Sequence, residues 1–253
     1  MRLFFIGMIM GICDLIPGVS GGTVAYVSGI YSDFLAAIQS LNLSDWKKIH
    51  WKFLMRLGFG IATSVLLFSR LFHFLLTNYP LTLFAFFFGA ILATATPSLR
   101  KPNGMLVLGF LFSFILCGLP KVEALEMPLW WIFICGMLGS GAMLLPGISG
   151  SFMLHILGVY TLFIRALSHI DIKFLVVIGL GIAAGFVVFS RLVSKLLGRH
   201  PEKSHAFLMG CMLGGLRTLW PYTMHNILSA TLFLALGFII TFFLERKAPV
   251  LVK

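Results

Sequence analysis

The segment PGVSGGTVAYVSGIY (Pro17–Tyr31) returns later in the chain as PGISGSFMLHILGVY (Pro146–Tyr160). Two further blocks repeat in the same order. LGFGIATSVLLFSRL (Leu57–Leu71) matches IGLGIAAGFVVFSRL (Ile178–Leu192), and YPLTLFAFFFG (Tyr79–Gly89) matches HPEKSHAFLMG (His200–Gly210). Three blocks in one order mean an internal duplication. The chain is therefore expected to fold as one domain made of two related halves, residues 1–121 and 122–253.

The medium in which those halves fold follows from composition. The chain is 59% hydrophobic and only 11% charged, which is characteristic of an integral membrane protein. Apolar runs at Phe53–Leu76, Leu81–Thr96, Met105–Leu119, Phe174–Leu197, His205–Leu219 and Ile227–Leu244 approach or exceed the roughly 20 residues that cross a bilayer. Two more apolar segments, Leu3–Ser40 and Leu129–Leu167, are each interrupted by one copy of the repeated motif. The formal net charge of +11 sits in short loops between apolar runs, as the positive-inside rule requires, and does not point to nucleic acid. Trp46, Trp51, Trp130, Trp131 and Trp220 stand at the ends of spans, where an aromatic belt belongs. Cys13, Cys117, Cys135 and Cys211 lack metal-site or disulfide-framework spacing. No metal site and no cofactor are expected. The N-terminus imitates a signal peptide, but Asp14 and Pro17 replace the small-residue cleavage site and an equivalent segment recurs mid-chain, so cleavage is not expected.

Loop charge bears on the topology. If the interrupted segments cross the membrane, each half has four crossings and the halves are parallel. If they return as re-entrant hairpins, each half has three and the halves are inverted. Hairpins gather Arg2, Lys47, Lys48, Lys52, Arg100, Lys101, Arg199, Lys203, Arg246 and Lys247 on one side. They leave Lys121 and Lys173 on the other, with Glu123, Glu126 and Asp171. Crossing segments would put Lys47, Lys48, Arg100 and Lys101 outside. The expectation is an all-α integral membrane protein of two inverted repeats, each a re-entrant helical hairpin plus three transmembrane helices. Both termini are then cytoplasmic. Residues Phe4–Ile16 as helix reach about 20 Å, enough to reach mid-membrane without crossing.

Broken backbone at membrane depth is tolerated only inside protein or along a wet cavity. In DLIPGVSGGT, Pro17 stops the incoming helix, Gly18 permits the turn, and Ser20 can cap the returning helix. Gly21 and Gly22 are expected to leave its first amides uncovered, with the Thr23 hydroxyl beside them. Pro146, Gly147, Ser149, Gly150 and Ser151 offer the second copy. A helix start with bare amides and hydroxyls suits an anion. Close helix packing is the other use for such small residues.

Arg70 and Arg191 are related by the repeat and lie within apolar runs. Either they pair with a phosphate, bidentate where geometry allows, or they snorkel to the interface. Asp14 has no acidic counterpart, because Met143 takes its place. An intramembrane carboxylate points to function, here a coupling proton or an arginine partner, unless it bonds nearby amides. His155, aligned with Tyr26, reads as structural, and Arg217 reads as an interface anchor.

GICDLIPGVSGGTVAYVSGIY, followed by the second PGISGS copy, resembles the polyprenyl-phosphate transporter family over essentially the whole chain. The resemblance implies translocation of undecaprenyl phosphate across the bacterial cytoplasmic membrane for reuse of this envelope lipid carrier. The motif residues that match are Asp14, Pro17, Gly18, Ser20, Gly21, Gly22 and Thr23, with Pro146, Gly147, Ser149, Gly150 and Ser151. Phe152 stands where the first copy has Thr23, so the halves need not contribute equally. Two other readings stay open. A carrier of small soluble anions would use the same site. A membrane lipid phosphatase would need a base or metal near its nucleophile, and no His or Glu stands beside Ser20 or Ser149.

Overall fold

The computed structural model describes every residue except 17–18, 42–48, 100–101, 123–125, 221–226 and 248–253. Pro17, Gly18, Trp46, Lys47, Lys48, Arg100, Lys101 and Glu123 therefore lie outside the described residues. Among the described residues all regular structure is helical.

The first half runs α1 (Arg2–Asp14), α2 (Gly21–Val27), α3 (Tyr31–Gln39), α4 (Trp51–Asn78), α5 (Pro80–Leu99) and α6 (Gly104–Leu116). The second runs α7 (Leu129–Leu144), α8 (Gly150–Ile156), α9 (Tyr160–His169), α10 (Ile172–Arg199), α11 (Pro201–Gly215), a 3-10 turn (Leu216–Leu219) and α12 (Ile227–Lys247). The breaks fall where local chemistry demands them. Pro80 and Pro201 each open a new helix directly after a 28-residue one, because proline is tolerated in the first turn and not inside. Asn103 caps α6 through the Leu106 amide at 2.9 Å, and Asp171 caps α10 through the Phe174 amide at 3.1 Å. Gly29 (φ 73°) and Gly158 (φ 78°) make the left-handed turns that lead out of α2 and α8. At the second of these, α8 and α9 meet at 109°.

α4 and α10 are long and apolar enough to cross a membrane. At 28 residues each they extend about 42 Å. Their outer faces carry exposed Leu66, Leu67, Leu180 and Val188, which suits contact with lipid rather than water. Residues 80–96, 104–116, 129–144 and 227–243 form shorter apolar helices. The run read from the sequence as Met105–Leu119 ends its helix at Leu116, and the run His205–Leu219 leaves α-geometry after Gly215.

Helices meet in four closely packed pairs: α1 with α4, α7 with α10, α5 with α12, and α6 with α11. Glycine brings backbone against backbone in each. A Cβ on Gly7 would stand 2.3 Å from the Leu57 carbonyl oxygen, and one on Gly60 2.2 Å from that of Phe4. The second half reproduces this, with Gly136 against Ile178 and Gly181 against Phe133. Gly89 and Gly237 seal α5 on α12, while Gly109 and Gly210 seal α6 on α11. Without a hydrophobic drive between helices in lipid, such contact is what holds them. The third and fourth pairs join different halves, so each half lends its last two helices to the other.

These contacts also give direction. Gly7 lies at the level of Leu57 and Gly60, and Gly11 at that of Ile61 and Ser64, so α1 and α4 run parallel. Gly210 meets Leu106 and Phe110, and Gly214 meets Phe110 and Phe114, so α6 and α11 run parallel too.

Candidate functional site

The two broken segments meet. α7 ends ahead of Pro146, and its last carbonyls lose their helical partners. The first break supplies new ones. The Tyr31 hydroxyl donates to the Leu144 carbonyl at 2.6 Å, and the Ser20 hydroxyl donates to that of Met143 at 3.4 Å. In the other direction, the Gly147 amide donates to the Thr23 hydroxyl at 2.9 Å. Gly147 holds φ +86°, and a Cβ there would collide with the backbone of Cys211 and Met212. Only glycine fits that turn. Gly22 is needed for the same approach, since its Cβ would stand 2.6 Å from the Met143 carbonyl oxygen.

The amides expected to be bare at the start of α2 are taken. The Ser20 hydroxyl accepts from Gly22 N at 3.2 Å, and the Asp14 carboxylate accepts from Gly21 N at 2.7 Å. The sequence alone leaves Asp14 between several roles, and its chain-local role is now plain. A carboxylate from the end of α1 folds back onto the start of α2, where the helix dipole favours it. Glycine at position 21 leaves room, because a Cβ would sit 2.8 Å from Asp14 Oδ2.

The second break is built differently. Met143 occupies the place of Asp14 and packs its side chain against Gly150. The Ser149 side chain caps no amide of α8 and shares a 2.9 Å hydrogen bond with Ser151 instead. Ser151 is exposed and Ser149 half-buried, whereas Ser20 and Thr23 are buried. Thus the accessible hydroxyls belong to the second copy.

Arg70 and Arg191 stand on exposed positions of α4 and α10, and neither makes a hydrogen bond or ion pair among the described residues. His155 stacks on Tyr160 with ring centroids 3.8 Å apart, and Tyr26, its aligned counterpart, shares a 2.8 Å hydrogen bond with His205 Nδ1 on α11. Both contacts brace the short helices α2 and α8.

Away from the breaks, a groove of about 710 Å³ opens between α5, α6 and the end of α11. Its walls are aliphatic and aromatic, with Leu92, Val107, Phe110 and Leu213 among them, and among the described residues its one charged lining residue is Arg217. The guanidinium donates to the Phe114 carbonyl at 2.9 Å and lies 4.5 Å from the centre of the Phe114 ring. The guanidinium is thereby held against the end of α6. The sequence offered one sign of it, because Arg217 aligns with the uncharged Thr96 and so is peculiar to the second copy.

Similarity to known proteins gives the family. A family described as undecaprenyl phosphate translocase-like matches residues 10–235. The chain belongs to this family. It is 34% identical over 237 residues to the polyprenyl-phosphate transporter of Vibrio cholerae serotype O1, covering 85% of this chain and 76% of that protein. It is 32% identical over 270 residues to the polyprenyl-phosphate transporter of Staphylococcus aureus, covering 95% of this chain and 94% of that one. No solved structure matches.

Proposed function

We propose that this chain carries a polyprenyl phosphate across the bacterial cytoplasmic membrane; the relatives in Vibrio cholerae and Staphylococcus aureus are named polyprenyl-phosphate transporters. The observation that carries the reading is the meeting of two helix breaks within an apolar helical body. Such discontinuities at membrane depth serve binding and gating in transporters. Undecaprenyl phosphate, the lipid in the family's description, is the proposed cargo, returned inward for reuse.

Helix direction supports the re-entrant arrangement. Because α1 and α4 are parallel, the chain between them has to come back to the side on which α1 began. The same holds for α7 and α10, since Gly136 meets Ile178 while Gly185 meets Met137 and Ser140. Inversion is supported as well. α11 is the aligned counterpart of α5. If α6 reverses α5 across their short link, then α11, parallel to α6, runs opposite to α5. Loop charge then favours cytoplasmic termini.

In this proposal the phosphate binds at the accessible start of α8, where Ser149, Gly150 and Ser151 present hydroxyls and amides. The buried start of α2, with Ser20, Gly21, Gly22 and Thr23, becomes available as Asp14 releases Gly21. Arg70 and Arg191 face opposite membrane sides under inversion and meet the phosphate in turn as one half rocks against the other. Inward movement of an anion opposes an inside-negative potential by about 2.3 kcal/mol per charge at 100 mV. Asp14 is the candidate to offset this by carrying a proton. The protein breaks no bond of its cargo.

The test is reconstitution into vesicles loaded with undecaprenyl phosphate in one leaflet. Protein-dependent exchange of the lipid between leaflets is expected. Its absence, alongside uptake of inorganic phosphate, would replace this reading with soluble-anion transport. Release of phosphate from undecaprenyl pyrophosphate would make the protein a phosphatase.

A further inference from the structure

We infer that the groove between α5, α6 and the end of α11 seats the prenyl chain of a polyprenyl phosphate, with the phosphate held against Arg217. This rests on the proposed function and adds a site distinct from the helix breaks.

The groove has the chemistry of an amphiphile with one anionic end. Its volume of about 710 Å³ lies within the about 300–1,000 Å³ usual for ligand pockets. Leu92, Val107, Phe110 and Leu213 give it apolar walls, and among the described residues Arg217 is the single charge on them. An isoprenoid tail asks nothing of such a wall beyond contact. A phosphate asks for a cation with several donors, and a guanidinium carries five N–H groups in one plane. The bond from Nη1 to the Phe114 carbonyl orients that fork in the wall.

Position agrees with uptake of a lipid from one leaflet. Arg217 follows α11, at the level of Phe114 near the end of α6. Trp220 packs edge-on against Phe88 at 5.6 Å beside it, where an interfacial indole belongs. In the proposed topology both helices run away from the cytoplasm, so this end of the groove faces the outer leaflet. In that topology the positive-inside rule does not account for Arg217, which also holds the last turn of α6 through the Phe114 carbonyl. The aligned Thr96, inside α5, is uncharged, so this cation is peculiar to the second copy.

The experiment uses the full chain in lipid nanodiscs containing phosphatidylglycerol, with farnesyl phosphate bearing a photoreactive tail. Saturable labelling of peptides from α5, α6 and residues 213–220 is expected. Excess undecaprenyl phosphate should abolish it, and inorganic phosphate should not. Arg217→Ala should weaken binding about tenfold, with Arg217→Lys intermediate. Val107→Trp should reduce tail labelling by filling the groove. If wild type binds but label falls on α1–α2 and α7–α8 alone, the groove inference is overturned while the transport reading stands. The groove inference falls in the same way if Arg217→Ala and Val107→Trp both bind normally. It also falls if added phosphatidylglycerol competes equally, which would mark a site for bulk lipid. Failure of wild type to bind any polyprenyl phosphate would end both readings.

Discussion

The hydroxyl of Thr23 accepts a hydrogen bond from the amide of Gly147 at 2.9 Å, joining residues 124 positions apart. The first broken segment, whose own Gly21 and Gly22 amides are satisfied locally, thereby satisfies an amide of the second. Thr23→Val keeps the shape and removes the acceptor, leaving a buried amide unpaired. A loss of about 1–3 kcal/mol is expected, read as a lowered unfolding midpoint in detergent, with Thr23→Ser close to wild type. Equal stability of the valine variant would mean that the contact contributes nothing.

Asp14 and the cargo compete for the same amides at the start of α2 in the proposed cycle. Asp14→Asn retains an acceptor for Gly21 but removes the charge. Polyprenyl phosphate should bind the variant several-fold more tightly while exchange between leaflets slows. Titration in nanodiscs and the vesicle assay separate the two effects, and weaker binding would contradict the competition.

Arg70 and Arg191 are exposed and have no partner among the described residues. Replacing either by alanine should change stability by no more than about 0.5 kcal/mol. The proposed function requires exchange of the lipid to fall sharply in both variants. Full activity in both would return these arginines to the membrane interface as anchors.

Gly58 and Gly60 are two residues apart on α4, yet a Cβ meets nothing within 4 Å at the first and stands 2.2 Å from the Phe4 carbonyl oxygen at the second. Gly60→Ala should destabilise by about 1–3 kcal/mol, because two backbones have to part. Gly58→Ala should be neutral or stabilising by up to about 1 kcal/mol. Thermal unfolding of the pair in one detergent decides whether α1–α4 contact governs stability.

Much of this is legible in the sequence for identifiable reasons. Apolar run length and proline mark helices: the run Phe53–Leu76 lies within Trp51–Asn78, and Pro80 and Pro201 open helices as proline should. Ser20 as a cap follows from its place before Gly21. What cannot be read is which helix meets which. Gly89 and Gly109 are small residues in any reading, and nothing local says that their partners lie on α12 and α11. The expectation of open amides at Gly21 and Gly22 fails for a related reason. A carboxylate seven positions back reaches Gly21 only because the chain doubles over, and doubling is a tertiary fact. That the carbonyl and ring of Phe114, from the other half, hold Arg217 is likewise invisible in the sequence, where only its distance from a helix end can be judged.

The exchange of terminal helices between halves has a cost during synthesis. α1 and α4 can pair as soon as both leave the ribosome. α5 and α6 cannot, because the surfaces that receive Gly89 and Gly109 are translated roughly 150 and 100 residues later, on the order of ten seconds at ordinary elongation rates. Through that interval two nascent helices wait in the bilayer with bare glycine faces. A chain truncated after its first half would keep them permanently, and its ready partner would be the nascent second half of a neighbouring polysome.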